Sequence, residues 1–258
     1  MTPSESRFME PLRLAGRIIM ENGGETYRVE ETITRMGRAF GLQNVESFAV
    51  PSGVFVSFLK SDGDTETAVV RVHKKGTDLM RVNSVNAVSR DVEAGLLSCD
   101  EAVARLQEID RSPGLAFHHC VLCALVCGGG FTLMFGGSLL ECLIAGLSAA
   151  AALCLAHLME KQRMQAMAGT MLGAFLSALI PMLFHQWTGF GTVDIMVGAA
   201  LMPLLPGLAM TNAVQDTMRG DMISGLSHGI TAILTAGLIA FGVLVASGLC
   251  ALLPGGGV

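Results

Sequence analysis

Among the polar side chains that interrupt an otherwise apolar part of the chain are Asn212, Asp216, Arg219, Asp221 and His228. A carboxylate in or near hydrocarbon is costly, and ionisable groups at such positions usually line a path for a substrate or a proton. An imidazole changes charge near neutral pH, which suits a proton relay. The residue types therefore predict a substrate or proton path that uses these five side chains.

The spacing of these residues predicts two helix faces. Asn212, Asp216 and Arg219 follow each other at four and three residues, so they share one face of a helix. A second face, on the next helix, carries Asp221, Ser224, Gly225 and His228. The two faces can meet across a turn at Arg219 and Gly220. Before them, Pro203, Pro206 and Gly207 predict a kinked or broken helix, whose freed backbone groups must be satisfied within the protein.

A plainer interpretation of the same stretch stays open. Residues 216–221 could form a wet cytoplasmic loop, in which Arg219 anchors the topology and Asp221 caps the last helix. His228 could serve a hydrogen-bonded helix contact instead of a relay. Two further acidic residues, Glu141 and Asp194, are expected to be span ends that reach toward water.

Composition predicts the elements that hold these residues. The chain has 258 residues, of which 51% are hydrophobic and 15% charged; its mean hydropathy is +0.55. A membrane span needs about 20 mainly apolar residues, and five such runs follow Leu115. We expect spans near 115–135, 138–158, 166–186, 192–212 and 223–252. The predicted fold is a membrane α-helical bundle of about five transmembrane helices, preceded by a cytoplasmic α+β domain.

Charge predicts the orientation of the bundle. Beyond Arg111, the only basic residues are Lys161, Arg163 and Arg219, in the second and fourth breaks between spans. Because basic loops stay inside, the N-terminus is expected in the cytoplasm and the C-terminus outside. Lys74 and Lys75 agree with a cytoplasmic head. The predicted domains are therefore a head over residues 1–112 and a transmembrane domain over residues 113–258.

The head has the pattern of two helices, three strands and two helices. Apolar residues recur with helical period in 6–22 and 27–40, with Thr26 expected as the N-cap of the second helix. Three β-branched and aromatic runs predict antiparallel strands at 45–50, 53–60 and 67–72. Helical period returns in 77–95 and 99–110, and Ser98 with Glu101 forms a capping-box pattern.

Several functions are disfavoured by what the sequence contains. A net charge of -5 argues against a nucleic-acid partner, which would require a basic surface. The run HHCVLCALVC, residues 118–127, has metal-ligand chemistry, but its cysteines fit an apolar span better; we expect no metal and no cofactor. The recognised nucleophile and phosphate-loop motifs do not occur in the head. Two alternatives to a transporter remain: a membrane-embedded hydrolase that uses His118, His119, Glu160 or the head, and a membrane scaffold whose head recruits a cytoplasmic partner.

Three stretches resemble one known family. The signature PG-x4-NAVQD-x3-GD-x2-SG, residues 206–225, is similar to that of the threonine/serine exporter family. Residues 23–57, from GGETYRVEETITRMGRAFGL to VPSGVFVS, and residues 74–95, KKGTDLMRVNSVNAVSRDVEAG, resemble the cytoplasmic head of that family. The resemblance covers nearly the whole chain and is to the larger subunit of the two-chain type.

The resemblance implies more than the residues themselves do. It implies a secondary exporter in the bacterial cytoplasmic (inner) membrane, driven by the proton gradient. Its substrates would be threonine and serine or, for the two-chain type, dicarboxylates such as succinate. A smaller membrane subunit is the implied partner, beside membrane lipid and the small-molecule substrate, with a homo-oligomer as the alternative. The family's polar signature falls on Asn212, Asp216, Gly220, Asp221 and Gly225.

Overall fold

The chain is mostly helical, with one small sheet near its N-terminus. The computed structural model describes residues 5–73, 76–162 and 165–253. The helices over these residues are α1 (Met9–Glu21), α2 (Thr26–Ala39), α3 (Leu79–Glu93), α4 (Cys99–Arg111), α5 (Phe117–Met134), α6 (Leu139–Lys161), α7 (Ala166–Thr188), α8 (Val193–Leu201), α9 (Gly207–Met218) and α10 (Met222–Leu252). The strands are β1 (Gln43–Val50), β2 (Gly53–Leu59) and β3 (Thr65–Arg71).

Some residues used in the sequence analysis lie outside the described part of the chain. They are Lys74, Lys75, Arg163 and the tail from Pro254 onward. The topology that rests on their charges stays a prediction.

The sheet is antiparallel, with β2 between β1 and β3. The three expected strands are confirmed, each within two residues of its expected ends, because short polar turns separate β-branched runs. One face of β2 is buried through Val54, Val56 and Phe58. These side chains join a core with Leu12 and Ile33 from the first two helices.

Capping decides where two of the helices begin. At Ser98 the capping box forms as the sequence predicts, with reciprocal bonds between Ser98 and Glu101. The expectation for Thr26 is wrong: Glu25 occupies the N-cap with extended backbone, and Thr26 is the first helical residue. The hydroxyl of Thr26 has a different partner, described below, so it does not cap its own helix.

Four described helices, α5, α6, α7 and α10, are long and apolar enough to cross a membrane. A fifth candidate is the pair α8 and α9, which passes the same test only when the two are joined. Between them lie a short 3₁₀ turn at Met202–Leu204 and the non-helical Leu205 and Pro206. The apolar half thus has four to five candidate spans.

The expected boundaries of the fourth run need a correction. The fourth span was expected to end near residue 212 and the fifth to begin near residue 223, but α9 continues to Met218 and only residues 219–221 separate it from α10. The helical face that carries Asn212 and Asp216 continues beyond the apolar run, which is why hydropathy alone ended the element too early.

Small residues allow the apolar helices to approach closely. A Cβ added at Gly146 would lie 2.6 Å from the carbonyl oxygen of Leu125, and one added at Gly242 would lie 2.5 Å from that of Met171. In membrane helix bundles, glycine commonly allows two helix backbones to make such close contacts. Gly146 of α6 and Gly242 of α10 therefore serve helix packing within the chain.

The chain forms two compact units. The first comprises Met1–Gly114 together with Leu208–Gly229, and the second comprises Leu115–Gly207 together with Ile230–Val258. We call residues 208–229 the polar segment. It is separated in sequence from the rest of the first unit, yet it belongs to the same compact unit as the sheet and α1–α4. The division after residue 112 into two domains stays a prediction.

Candidate functional site

Asp216 is the most deeply buried carboxylate of the polar segment. Its residue is 0% exposed, and its Oδ1 accepts a hydrogen bond of 2.8 Å from the hydroxyl of Thr26. Thr26 is also fully buried, in the first turn of α2. A buried carboxylate needs such partners, because burying an unpaired charge costs a large free energy.

The second oxygen of Asp216 faces an imidazole. His228 Nε2 lies 3.8 Å from Asp216 Oδ2, and among the described residues Oδ2 accepts no hydrogen bond. At this distance the two groups attract each other when the imidazole is protonated. The helix faces predicted for Asp216 and His228 therefore do meet across the turn between α9 and α10. The pair can hold a proton in more than one position.

Asn212 lies one turn before Asp216 and is 2% exposed. Its Nδ2 donates to the carbonyl oxygen of Gly23 at 3.5 Å. Gly23 has a φ of +83°, a backbone conformation that glycine adopts readily. A Cβ there would also lie 3.0 Å from Leu208 Cδ2. The turn after α1 therefore packs closely against the polar segment, and glycine at position 23 allows this approach.

A similar contact holds the beginning of α10. Ser224 is buried, and its hydroxyl donates to the carbonyl oxygen of Ala49 in β1 at 3.3 Å. Gly225 lies against the preceding helix, because a Cβ there would overlap Thr217 Oγ1 and lie 3.1 Å from the carbonyl oxygen of Ala213. Only glycine fits this approach between α9 and α10 without a shift.

Arg219 occupies the turn and stacks on an aromatic ring. Its guanidinium carbon lies 3.6 Å from the centroid of Tyr27, a cation–π contact. Arg28, the residue after Tyr27, pairs with Glu25 at 2.7 Å. Burial by itself would raise the pKa of Glu25, but the hydrogen bond and charge of Arg28 keep that pKa below its ordinary value. Glu25 is therefore ionised at neutral pH.

Arg219 also opens onto a charged groove of about 790 Å³. The arginines that line it are Arg35, Arg38 and Arg219, and the acids are Glu30, Glu31 and Glu93. Arg35 already pairs with Glu31 and Glu93. Arg38 and Arg219 form no ion pair among the described residues, so these two cations can bind a carboxylate that enters the groove.

Glu30 links the groove to the buried carboxylate. Burial raises the pKa of Glu30, and the nearby charges of Asp221 and Asp216 raise it further, although the hydrogen bond from the Ala49 amide opposes this. That bond is 2.9 Å long. Asp221, beside Gly220 in the left-handed turn, directly precedes α10. The charges of Asp221 and Asp216 thus lie near enough to Glu30 to disfavour its ionised form.

The structure brings most of the predicted residues together. Asn212, Asp216, Arg219, Asp221 and His228 all belong to the first unit, whereas the break residues Pro203, Pro206 and Gly207 belong to the second. The partners of these residues in the head, Thr26, Gly23 and Ala49, were not predicted from the sequence. Thr26 could be recognised only as a threonine near a helix start, and the backbone oxygens carry no signal in the sequence.

Glu141 and Asp194 were both expected to reach toward water, and the structure agrees for Asp194 only. Glu141 is 6% exposed rather than reaching toward water. Its Oε2 accepts from the amide and hydroxyl of Ser138, and its Oε1 accepts from the Thr192 amide at 2.6 Å. The snorkelling expectation for Glu141 is wrong, because the carboxylate caps α6 and fixes the loop before α8. Asp194 is exposed as expected.

The histidine and cysteine run shows packing contacts. The rings of His118 and His119 lie 4.0 Å apart, and Phe117 stacks on His157 at 4.1 Å. Within residues 5–73, 76–162 and 165–253, no three His, Cys, Asp or Glu side chains are grouped to hold a metal ion.

One known protein family matches most of the chain. A family model described as "Putative threonine/serine exporter" matches residues 12–250. The chain belongs to the threonine/serine exporter family. The resemblance seen in residues 206–225 and in the head is thereby confirmed, and the polar segment lies inside the matched region.

Curated relatives of the exporter family cover nearly the whole chain. A protein of Escherichia coli named "Probable succinate transporter subunit YjjP" is 25% identical over 232 residues, which are 90% of each chain. The protein of the same name from Klebsiella aerogenes is 25% identical over 88% of each chain. A "Probable threonine/serine exporter" of Mycobacterium tuberculosis is 22% identical over 91% of this chain and 44% of its own length. No solved structure matches.

Family membership and the apolar helices give a consistent classification. The candidate spans α5, α6, α7 and α10, with the interrupted pair α8 and α9, are those of a multi-pass membrane protein. The relatives are named as transporters or exporters. The chain is therefore a membrane protein of a transport family.

Proposed function

We propose that this chain is a subunit of a proton-gradient-driven secondary exporter of small polar metabolites. The observation that carries the proposal is Asp216, a fully buried carboxylate with a hydroxyl donor on one oxygen and an imidazole near the other. Buried ionisable groups in membrane transporters commonly belong to proton relays. The transport names of the relatives support this interpretation over a hydrolase or a scaffold.

In this proposal Asp216 is the proton acceptor and His228 its partner. When the carboxylate is ionised, it accepts a hydrogen bond from the hydroxyl of Thr26 and attracts a protonated His228. When a proton binds at Oδ2, that attraction is lost, and the contact between α9 and α10 loses one stabilising interaction. Proton binding is thereby coupled to the packing of the polar segment, which is the kind of two-state element that coupled transport requires.

The substrate carboxylate would bind at the arginines of the charged groove. Arg219 lies at the turn that joins the two polar helices, and guanidinium groups suit carboxylates because they can donate two parallel hydrogen bonds. Threonine and serine carry one carboxylate, and a dicarboxylate such as succinate carries two. Both substrate classes remain in the proposal, because relatives of this chain bear both names.

The proposal also covers the membrane in which the exporter lies, its orientation and its partner subunit. The chain lies in the bacterial inner membrane with the head in the cytoplasm and the C-terminus outside. It acts with a smaller membrane subunit, which the word subunit in the name of the Escherichia coli relative supports. The polar segment then faces the compartment from which the substrate is exported.

The test is efflux of preloaded, labelled threonine, serine and succinate from cells that express the chain with and without its small partner. We expect selective efflux that needs the partner and collapses when a protonophore removes the gradient. Asp216→Asn should abolish this efflux while membrane insertion is retained. Asp64→Asn is the matched control, because Asp64 is an exposed carboxylate in the turn before β3.

Three outcomes contradict the proposal. Efflux that survives in Asp216→Asn at the wild-type rate removes Asp216 from the proton path. Retention of all three solutes by the inserted wild-type pair favours a scaffold. Consumption of a peptide or ester by the purified chain, lost in His119→Ala, favours a hydrolase.

A further inference from the structure

The sheet of the first unit has two edges, and the chain itself bonds to one of them. In β1 the amide of Ala49 donates to Glu30 Oε1 at 2.9 Å, and its carbonyl oxygen accepts from the hydroxyl of Ser224 at 3.3 Å. The pairing of β1 with β2 is also irregular between Gln43 and Glu46. Side chains from α2 and the polar segment thus bond to the β1 edge, and β3 forms the other edge.

The pairing of β2 with β3 determines which backbone groups of β3 point outward. At one end of this ladder the Val72 amide donates to the carbonyl oxygen of Ser52 at 3.1 Å. At the other end the Lys60 amide donates to the carbonyl oxygen of Asp64 at 2.8 Å. Hydrogen-bonded pairs alternate with non-hydrogen-bonded pairs along an antiparallel ladder. The amides and carbonyl oxygens that point away from β2 are therefore those of Thr65, Thr67, Val69 and Arg71.

This open edge lacks most of the features that keep edge strands from pairing. Natural sheets protect their edges with proline, lysine, bulges or a covering element. The strand β3 contains neither proline nor lysine, and its pairing with β2 is regular. Its acid, Glu66, accepts the hydroxyl hydrogen of Ser6 within the chain. Within residues 5–73, 76–162 and 165–253, the outward backbone groups of β3 form no hydrogen bond, so they are available to another strand.

An apolar row on the exposed face of the sheet ends at this edge. Phe48, Phe55 and Val69 lie directly opposite one another across the three strands, and they are 48%, 43% and 65% exposed. The two phenylalanine rings have centroids 6.3 Å apart. Cross-strand apolar pairs stabilise a sheet, but Val69 has such a neighbour on one side only. A further strand at the edge would supply the second neighbour.

Charge along β3 favours an antiparallel neighbour of the same sequence. The turn before the strand carries Asp62 and Asp64, which share one base, Lys60, so this turn keeps a net negative charge. Arg71 ends the strand, and two lysines follow at positions 74–75 of the sequence. An antiparallel second copy would place the acidic turn of each strand beside the basic end of the other. A parallel copy would bring like charges together.

We propose that two copies of this chain pair through antiparallel β3 strands, with Val69 of each copy opposite Val69 of the other. Outward backbone groups must meet outward groups, which limits the possible registers. The register centred on Val69 makes the row of Phe48, Phe55 and Val69 continuous through both copies. The two three-stranded sheets then form one sheet by strand addition. The interface uses the same surface of both copies, as two-fold dimers do.

The first experiment measures the mass of the purified full-length chain in detergent by light scattering, over a range of concentrations. The wild type should form dimers. Val69→Lys should weaken the dimer by about tenfold or more, because two lysines would face each other at the two-fold axis. Val69 is exposed, so the monomer should stay folded. Phe48→Lys, on the same face but two strands from the edge, is the matched control and should dimerise as the wild type does.

A charge exchange tests the register. Val69→Glu alone should also weaken the dimer, since two carboxylates would then meet. Co-expression of Val69→Lys and Val69→Glu chains that carry different tags should restore pairing, because opposite charges then lie across the axis. Recovery of a mixed dimer that carries both tags is the readout. This result requires folded chains, so it also separates lost pairing from lost folding.

Cysteine cross-linking in isolated membranes gives an independent readout. Val69→Cys should form a disulfide-linked dimer on mild oxidation. Phe55→Cys is the matched control on the same face, one strand farther from the axis in each copy. Its two sulfur atoms would be held on strands about 14 Å apart, which is beyond the reach of a disulfide. The seven native cysteines are the same in both variants, so they contribute an equal background.

Any of four results would overturn the inference: a wild type that stays monomeric, a Val69→Lys chain that dimerises like the wild type, no gain from co-expressing the lysine and glutamate variants, or equal cross-linking of Val69→Cys and Phe55→Cys. None of these measurements needs a substrate, a proton gradient or the smaller subunit. Dimerisation without efflux would therefore leave the inference standing while the proposed transport function fails, and efflux by a monomeric chain would do the reverse.

Discussion

Thr26 donates its hydroxyl to Asp216 at 2.8 Å, although 190 positions separate the two residues in sequence. Both side chains are fully buried. The bond joins the first turn of α2 to α9, so the carboxylate of the polar segment depends on the head for its partner. A site that seemed to belong to the apolar half is instead built within the first compact unit.

Replacing Thr26 by valine should destabilise that unit. Valine keeps the shape of threonine but leaves Oδ1 of Asp216 without its donor, at an expected cost of about 1–3 kcal/mol. Denaturant or thermal unfolding of the purified chain would measure it. Thr26→Ser keeps the hydroxyl and should recover most of the loss. Equal stability of the valine and serine variants would show that the hydrogen bond contributes nothing.

Glu30→Gln should change the pH dependence of stability. Since burial raises the pKa of Glu30 in the folded chain above its ordinary value of 4.5, the folded state holds this proton more tightly than the unfolded state does. The associated stability is fully present below 4.5 and is lost as pH rises through the raised pKa. Glutamine does not titrate, and its side-chain oxygen can still accept the hydrogen bond from the Ala49 amide.

The measurement for Glu30 is a series of melting temperatures from pH 4 to pH 7. The advantage of the glutamine variant over the wild type should grow as pH rises from about 4.5 and then level off. Glu46→Gln in β1 provides a control carboxylate on the same sheet. A difference that shrinks with rising pH would mean that the pKa of Glu30 is lowered by folding.

Two neighbouring glycines of α10 should respond differently to alanine. At Gly225 a Cβ would overlap Thr217 Oγ1 and lie 3.0 Å from the Thr217 amide nitrogen, whereas at Gly229 the nearest atom is Ala213 Cβ at 3.9 Å. Gly225→Ala should therefore cost about 1–3 kcal/mol through overpacking, and Gly229→Ala should be tolerated. Melting temperatures of the two variants check this, and the reverse order would contradict the packing of α9 against α10.

Glu141→Gln should loosen the start of α6 and the loop before α8. The amide group can replace one carboxylate oxygen as an acceptor, but it cannot accept both the Ser138 and the Thr192 bonds. The loss of a cap and a hydrogen bond is worth about 1–2 kcal/mol. Hydrogen exchange at the Thr192 amide would report it directly. Unchanged protection at Thr192, with Glu160→Gln as the comparison, would count against the cap.

The sequence predicts local structure well because local signals specify it. Helical period, the capping box at Ser98 and the turns around the β-branched runs give the order and approximate bounds of the elements in the head. The i, i+4 spacing of Asn212 and Asp216 also gives their shared face correctly. Each of these signals acts over a few residues and can be read without knowing the fold.

Long-range partners leave no comparable signal. Nothing near Asp216 in sequence indicates that Thr26 will donate to it, and the oxygens of Gly23 and Ala49 are backbone atoms that any residue would provide. Glu141 is a second example. A carboxylate at the end of a span is predicted to be exposed to solvent, and its sequence neighbours do not indicate that the loop at Thr192 covers it. Tertiary packing decides which polar residue is buried.

The divided first unit also has a consequence for biosynthesis. Residues 1–114 leave the ribosome first, and about ninety residues of apolar chain must follow before the polar segment appears. At about 5–20 residues per second, this interval lasts roughly 5–20 s. Through that time the hydroxyl of Thr26 cannot donate to Asp216, so the first unit cannot be completed until the polar segment has been translated.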